Sequence, residues 1–236
     1  MSLALRQRSG LGSFAILWIR RYNISAHPAS GDDNMHVFIV YCHPSRASFT
    51  HSLLRAFVRG LEEAKHTYEI SDLYEMGFKS DMDEAEYCRE SGRQPARPVP
   101  DDARREQTKI ARADALAFVY PVWWSDCPAK LKGWFDRVYT LGYAYAKADR
   151  ETTTFANFAG IKKALLICAA GHTAEHLEET GIAESMRKVM LNDRLAGIGI
   201  KNTAMRIFGG TVAGGPEIKE QHLHAAFRLG KEFGSD

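Results

Sequence analysis

Residues 35–50 read MHVFIVYCHPSRASFT, and they are the most informative part of the chain about its architecture. Residues 36–42 (HVFIVYC) form a near-continuous apolar run, which is typical of a strand buried on both faces of a parallel sheet. Residues 48–65 then carry apolar side chains at helical spacing, among them Leu53, Phe57 and Leu61. The stretch therefore predicts a buried first strand, a short polar loop and a helix.

The same alternation continues along the chain. Four more strands are predicted at 68–73, 115–120, 163–168 and 203–208, and helices at 101–113, from Pro128 onward, at 182–195 and at 217–233. Repeated alternation of this kind means a parallel sheet with helices on both faces. We predict an α/β protein with a flavodoxin-like three-layer fold and a five-stranded parallel sheet in the order 2-1-3-4-5. The polar residues 79–99 are predicted to be an insertion or a partly ordered excursion.

Composition and charge argue against several classes of protein. The chain has 236 residues, of which 45% are hydrophobic and 25% charged, and its net charge of +2 lies within residues 1–34. The neutral remainder is unlike a protein that binds nucleic acid or another polyanion. Its apolar runs are too short for a membrane span, and its four cysteines have no metal-binding or C-x-x-C spacing. We expect a reducing compartment and a cytoplasmic protein.

Residues 1–34 are predicted to be an N-terminal extension of a domain that comprises residues 35–236. The extension holds basic residues, serines and a brief apolar patch at 14–19 (FAILWI), with no acidic residue before Asp32. A disordered tail or an upstream start is the first interpretation, and a targeting peptide is the alternative.

In a sheet of this order, ligands bind beyond the carboxyl ends of the strands, where the strand order reverses. The site is therefore expected in the loops at 43–50, 120–128 and 169–176. The first loop, HPSRASFT, offers the hydroxyls of Ser45, Ser48 and Thr50 together with the free N–H groups of a helix start. Such a cradle suits a flavin phosphate, and Ser48 as a simple helix cap is the alternative.

The second loop carries two adjacent tryptophans, Trp123 and Trp124, within YPVWWSDCPAKLKGWFDRV at 120–138. A planar tricyclic ring needs a flat apolar wall and backbone N–H groups for its polar edge. Residues 122–125 offer both if one tryptophan faces the ring while the other packs down. Two ordinary packing tryptophans are the alternative.

The third loop reads CAAGHTAEH and begins at Cys168. Gly171 permits a close backbone approach to a ligand. His172 and His176 are four residues apart, but no third ligand is identifiable, so we predict no metal site. Either histidine can exchange a proton near a cofactor, or it is a solvated loop residue. Cys127 and Cys168 have no evident activating partner, so no nucleophilic thiol is predicted.

Three segments, in this order and spacing, resemble the NAD(P)H:quinone oxidoreductases, which are DT-diaphorase-like members of the flavodoxin-2 family. The segments are HPSRASFTHSLL at 43–54, YPVWWSDCPAKLKGWFDRV at 120–138 and GYAY at 142–145. The resemblance implies a homodimer with the flavin at the subunit interface, FAD (with FMN as the alternative), and NAD(P)H as co-substrate. A hydride would pass from NAD(P)H to flavin N5, after which a quinone or related acceptor takes two electrons in the same place.

The resemblance also implies site residues by position. The first loop would hold the flavin phosphates and ribityl chain, the second the isoalloxazine ring, and the third its pyrimidine edge. Tyr145 matches a tyrosine that lines the substrate pocket from the partner subunit, and with His172 and His176 it makes up the predicted catalytic set. The predicted cofactor-binding residues are His43, Ala47, Ser48, Phe49, Thr50, Pro121, Val122, Trp123, Trp124, Ser125, Ala169, Ala170, Gly171 and His172.

One departure from the family pattern concerns the charge on the reduced flavin. The mammalian enzymes place a tyrosine and a histidine, six residues apart, after the third loop, whereas this chain has Leu177 and Ala183. His172 or His176 is the substitute that we propose. Two other functions stay open: a flavin-dependent azo- or nitro-reductase, and a flavin-binding regulatory subunit of a potassium efflux system.

Overall fold

A five-stranded parallel β-sheet forms the centre of the protein. The computed structural model describes residues 34–145 and 156–235. The strand order is β2-β1-β3-β4-β5 with every neighbouring pair parallel, which confirms the predicted topology. Each strand begins and ends within one residue of its prediction. The strands are β1 (His36–Tyr41), β2 (Thr67–Asp72), β3 (Ala115–Pro121), β4 (Lys163–Ala169) and β5 (Thr203–Phe208).

Helices cover both faces of the sheet, as predicted. On one face Phe57 packs edge-on against Phe233, beneath the alternate side chains of β1 that include Val37 and Ile39. On the other face Trp134 is fully buried near Phe38 of the same strand. The helices are α1 (Phe49–Glu63), α2 (Glu84–Ser91), α3 (Asp101–Arg112), α4 (Ala129–Val138), α5 (Ala174–Glu179), α6 (Ile182–Arg187) and α7 (Pro216–Lys231).

The segment predicted as one helix over 182–195 changes its winding part-way. It is α-helical only over α6 and continues as a π-type helix over Lys188–Leu195, here called the wide helix. Met190 and Leu195 of the wide helix are buried in the core on the α4 side. The apolar pattern predicts this burial, but it does not distinguish a π-type helix from an α-helix. The wider winding places Arg194 next to the second loop.

The excursion at 79–99 is more ordered than predicted, because it contains α2. Asp83 and Glu86 form a capping box: the Asp83 carboxylate accepts from the Glu86 N–H, and the Glu86 carboxylate accepts from the Asp83 N–H, each at 2.9 Å. The buried residues of α2 are Glu86 and Arg89, both charged, so the hydrophobic pattern does not reveal the helix. The D-x-x-E spacing is the local signal that does.

Arg137 of α4 ties the excursion to the rest of the domain. Its guanidinium donates to Glu86 Oε1 at 2.7 Å, to Asp102 Oδ2 at 2.6 Å and to the carbonyl of Lys79 at 2.7 Å. Arg137 and Glu86 are both buried, so this pairing replaces their hydration. The segment before α3 is thereby fixed against α4.

The predicted extension at residues 1–34 lies outside the described residues, apart from Asn34. Within 34–145 and 156–235, no helix is both long enough and apolar enough to cross a membrane.

Replacing Arg137 tests the anchoring of the excursion. Arg137→Met should lower the free energy of unfolding by about 3–5 kcal/mol, because it removes the buried cation shared by the Glu86 and Asp102 carboxylates and leaves Glu86 with only the more distant Lys79 at 3.8 Å. Lys132→Met is the matched control on the same helix, since its pair with Asp136 is exposed and worth under about 1 kcal/mol. Urea unfolding of both variants measures the difference. Equal losses of unfolding free energy would contradict the anchoring role of Arg137.

Candidate functional site

The three predicted loops lie side by side at the carboxyl edge of the sheet. The N–H of Cys42, at the end of β1, donates to the carbonyl of Val119 at 3.0 Å. The N–H of Val122, after β3, donates to the carbonyl of Ala169 at 2.8 Å. The His43 and Trp123 rings have centroids 6.0 Å apart. The loops after β1, β3 and β4 therefore lie next to one another at one edge of the sheet, and the region between them is here called the crevice.

The first loop ends in the N-terminus of α1. The Ser48 hydroxyl accepts from the His51 N–H at 3.1 Å and so caps the helix, as the alternative interpretation expected. The N–H groups of Phe49 and Thr50 have no acceptor among the described residues. A 15-residue helix that presents two free N–H groups and its dipole can bind an anion there. The capping role of Ser48 is compatible with such a site.

His43 has one ring nitrogen occupied within the loop. Its Nδ1 lies 2.9 Å from the Ser45 nitrogen and 3.1 Å from the Ser45 carbonyl oxygen, so the loop backbone occupies this side of the ring whichever nitrogen carries the proton. Burial lowers the pKa of His43, which keeps the imidazole neutral around pH 7. The residue is thus a neutral hydrogen-bonding group rather than a cation.

The tryptophans stand on a strained two-residue turn. Trp123 and Asp126 exchange backbone hydrogen bonds of 3.0 and 3.2 Å, and the two residues between them have positive φ, 49° for Trp124 and 64° for Ser125. These are the φ signs of a type I′ turn, which normally takes glycine or asparagine. Each non-glycine residue held there costs about 1–3 kcal/mol, and such strain concentrates at functional sites.

The side chains of this turn point outward, and part of the prediction is wrong. Trp124 is fully exposed and Trp123 is 40% exposed, so neither tryptophan packs down. The buried tryptophan of this region is Trp134, on α4. The N–H groups of Trp124 and Ser125 have no acceptor among the described residues. The turn therefore presents aromatic surface and two free donors together.

Arg194 of the wide helix supports the turn from below. Its guanidinium lies 3.5 Å from Asp126 Oδ1 and 3.5 Å from the Cys127 sulfur, and it stacks 5.3 Å from the Phe135 ring centroid. Asp126 Oδ1 also accepts from the Cys127 N–H at 2.7 Å. Sequence reasoning missed Arg194, since nothing local in the chain relates it to a loop 68 residues earlier.

The third loop is joined to the loop after β5. The carbonyl of Ala170 accepts from the N–H and the hydroxyl of Thr211, and the carbonyl of His172 accepts from the Gly210 N–H at 2.7 Å. A Cβ on Gly209 would come within 2.4 Å of the Ala174 nitrogen, so only glycine permits this approach. The N–H groups of Gly171 and His172 have no acceptor among the described residues. They are free to meet a ligand.

The two loop histidines form an exposed pair. The His172 and His176 rings have centroids 4.8 Å apart at an interplanar angle of 30°. Across the described ranges, no group of three or more residues is arranged to hold a metal ion. Leu177 and Ala183, at the family's tyrosine and histidine positions, are buried in an apolar cluster with Ala170. Of the residues just described, the histidines are the ones able to move a proton.

The cysteines beside these loops are not nucleophiles. Burial raises the pKa of Cys127 to about 12 and that of Cys168 to about 12. Both thiols are therefore protonated at neutral pH, and the thiolate is the reactive form.

Comparison with known proteins shows the family of the chain. The profile of the flavodoxin-2 family, described as a flavodoxin-like fold, matches residues 35–230. The chain belongs to this family. The match starts at β1 and reaches into α7, so it includes all three loops of the crevice.

Three proteins that are similar to the chain are named as oxidoreductases or dehydrogenases. An NAD(P)H:quinone oxidoreductase from Methanothermobacter marburgensis is 54% identical, with a TM-score of 0.78 over 85% of this chain and 96% of that one. A ribosyldihydronicotinamide dehydrogenase-like protein of Penicillium crustosum is 31% identical over 66% of this chain and 65% of its own length. A ribosyldihydronicotinamide dehydrogenase [quinone] of Mus musculus is 33% identical over 64% of this chain and 70% of its own length. The chain thus spans about two thirds of the curated relatives that it matches.

The strain in the tryptophan turn is directly testable. Ser125→Gly should raise the free energy of unfolding by about 1 kcal/mol, because glycine adopts positive φ without a steric cost. Ser125→Val should lower it, since a β-branched residue tolerates positive φ least. Urea unfolding of the two variants without added ligand gives both values. Equal stabilities would mean that the turn does not hold residue 125 in this conformation.

Proposed function

We propose that the protein is a flavin-dependent NAD(P)H oxidoreductase that reduces quinones by two electrons. The observation that carries the proposal is the juxtaposition, in one crevice, of the exposed tryptophan turn and free N–H groups on three loops. The relative that is 54% identical over most of the chain and is named an NAD(P)H:quinone oxidoreductase supports a quinone as acceptor.

The residues fit the three parts of a flavin. The N–H groups of Phe49 and Thr50 at the start of α1 suit a phosphate. Trp123 offers a partly exposed flat apolar surface for the ring. The free N–H groups of Ser125 and Gly171, among others, suit the carbonyl oxygens and ring nitrogens of its polar edge.

The flavin, when bound, supplies the ability to accept a hydride and pass on two electrons. The chain contributes binding and orientation. The first loop would fix the phosphate, while the tryptophan turn and the third loop would hold the ring so that donor and acceptor meet one face. His172 and His176 are the side chains that would exchange a proton with solvent as charge develops. Leu177 and Ala183 are apolar and cannot do so.

The proposal also covers the identity of the flavin, the oligomeric state and the cellular location. We propose FAD over FMN because the resemblance is to the longer members of the family, whose excursion covers the adenosine. A homodimer is supported by Trp124 and Val212, which are large apolar side chains left almost wholly exposed. A cytoplasmic location is supported by the four free cysteines, which suit a reducing compartment.

A panel of acceptors tests this function against its alternatives. With NADPH or NADH as donor, menadione should be reduced with a higher kcat/KM than an azo dye or a nitroaromatic compound. A preference for either of the latter would favour the azo- or nitro-reductase. Turnover that appears only with a membrane protein partner would favour the regulatory subunit.

Removing the tryptophans tests the flavin wall. Trp123→Ala/Trp124→Ala should weaken FAD binding, by on the order of 1–3 kcal/mol for each ring that stacks on the flavin. Tyr87→Ala is the control, because Tyr87 is an exposed aromatic residue on α2. Calorimetric titration of FAD into the apoproteins measures the difference. An unchanged dissociation constant in the double variant would refute the placement of the ring.

A further inference from the structure

Tyr145 lies at the end of a tight turn that follows α4. The N–H of Gly142 donates to the carbonyl of Tyr145 at 2.6 Å, and Leu141 and Tyr145 form an isolated bridge. Gly142 has a φ of 84°, a conformation that glycine adopts without strain. The Tyr145 ring is 39% exposed. The turn thus presents an aromatic side chain at the surface from a defined backbone.

The excursion helix α2 holds this turn by both peptide groups of Leu141. Arg89, which is almost fully buried, donates from its guanidinium to the Leu141 carbonyl at 2.9 Å. Glu90 Oε2 accepts from the Leu141 N–H at 2.8 Å. Arg89 and Glu90 also form an ion pair with each other. The two neighbouring charged side chains therefore hold the peptide groups on both sides of the Leu141 Cα, about 50 residues further along the chain.

The same Glu90 oxygen also accepts from the Tyr145 hydroxyl, at 2.6 Å. A phenol has one proton to donate, and here a carboxylate takes it in a charge-assisted hydrogen bond. The lone pairs of the phenol oxygen and the faces of the ring stay available to a ligand. A tyrosine held in this way accepts hydrogen bonds and packs against rings, but it does not donate a proton to a quinone oxygen.

We propose that Glu90 is a positioning residue, which fixes the rotamer of Tyr145 and restricts this tyrosine to the role of an aromatic wall and hydrogen-bond acceptor in the acceptor pocket. The inference rests on the proposed function, because Tyr145 is predicted to line that pocket. Burial and the bond to Glu90 both raise the pKa of the Tyr145 phenol, which agrees with a hydroxyl that stays protonated at neutral pH.

A double-mutant cycle on the holoenzyme tests whether Glu90 acts through Tyr145. Glu90→Ala should raise the KM for menadione by about tenfold, the equivalent of one lost hydrogen bond to a charged group, with a smaller change in kcat. Glu90→Gln should recover most of this loss, because the amide oxygen can still accept from the phenol. In a Tyr145→Phe background, Glu90→Ala should have little further effect.

Amide hydrogen exchange of the 141–145 turn gives a readout that needs no turnover. Glu90→Ala should speed exchange of the Leu141 N–H, because its acceptor is lost. Glu84→Ala, an exposed change on the same helix, is the matched control and should alter neither exchange nor KM.

The possible outcomes distinguish a failure of the positioning role of Glu90 from a failure of the proposed function. Faster exchange with a menadione effect that disappears in the Tyr145→Phe background supports the positioning role. Faster exchange with unchanged menadione kinetics overturns it, since Glu90 then holds only the backbone. An equal loss in both backgrounds overturns it as well. If the wild-type holoenzyme does not reduce menadione at all, the proposed function fails, and the role of Tyr145 fails with it.

Discussion

Burial of β1 on both faces is the constraint on which the rest of the structure depends. Val37 and Ile39 face α1 and α7, while Phe38 and Val40 face α3 and α4, so the strand must lie inside the sheet between two helical layers. β2 lies on one side of β1 and β3 on the other, and the loops after β1, β3 and β4 meet at one edge. The crevice is a consequence of that packing, because the order of the strands brings three loops from distant parts of the chain together.

The crevice combines free backbone donors with local strain. A packed sheet pairs nearly all of its own backbone N–H groups, so the donors left free at α1, at the tryptophan turn and after β4 stand out against the paired backbone of the sheet. The positive φ values of Trp124 and Ser125 persist because Asp126, Arg194 and the end of β3 hold the turn on either side. Strain of this kind fits a surface that is shaped before its ligand arrives.

The strands and most helices could be predicted from the sequence because their apolar spacing reports burial directly. The apolar spacing does not reveal α2, since its buried residues Glu86 and Arg89 are charged and Glu86 is paired with Arg137, 51 residues further along the chain. Its local signal is the D-x-x-E capping box of Asp83 and Glu86. The prediction that one tryptophan packs down was wrong, because both lie on an exposed turn with positive φ at Trp124 and Ser125. Glycine and asparagine are the residues that usually indicate such a turn, so the sequence does not predict it. Contacts such as Glu90 with Tyr145, 55 residues apart, have no local signal at all.

Visible absorption spectroscopy is the first test of whether the crevice binds a flavin that NADPH can reduce. The purified protein is incubated with FAD, passed through a desalting column and then treated anaerobically with NADPH. A flavin-dependent NAD(P)H oxidoreductase would give a protein fraction that keeps a flavin spectrum and loses its absorbance on addition of NADPH. A protein fraction without flavin would contradict the assignment of the crevice, and a bound flavin that NADPH and NADH both fail to bleach would contradict the assignment of the enzyme.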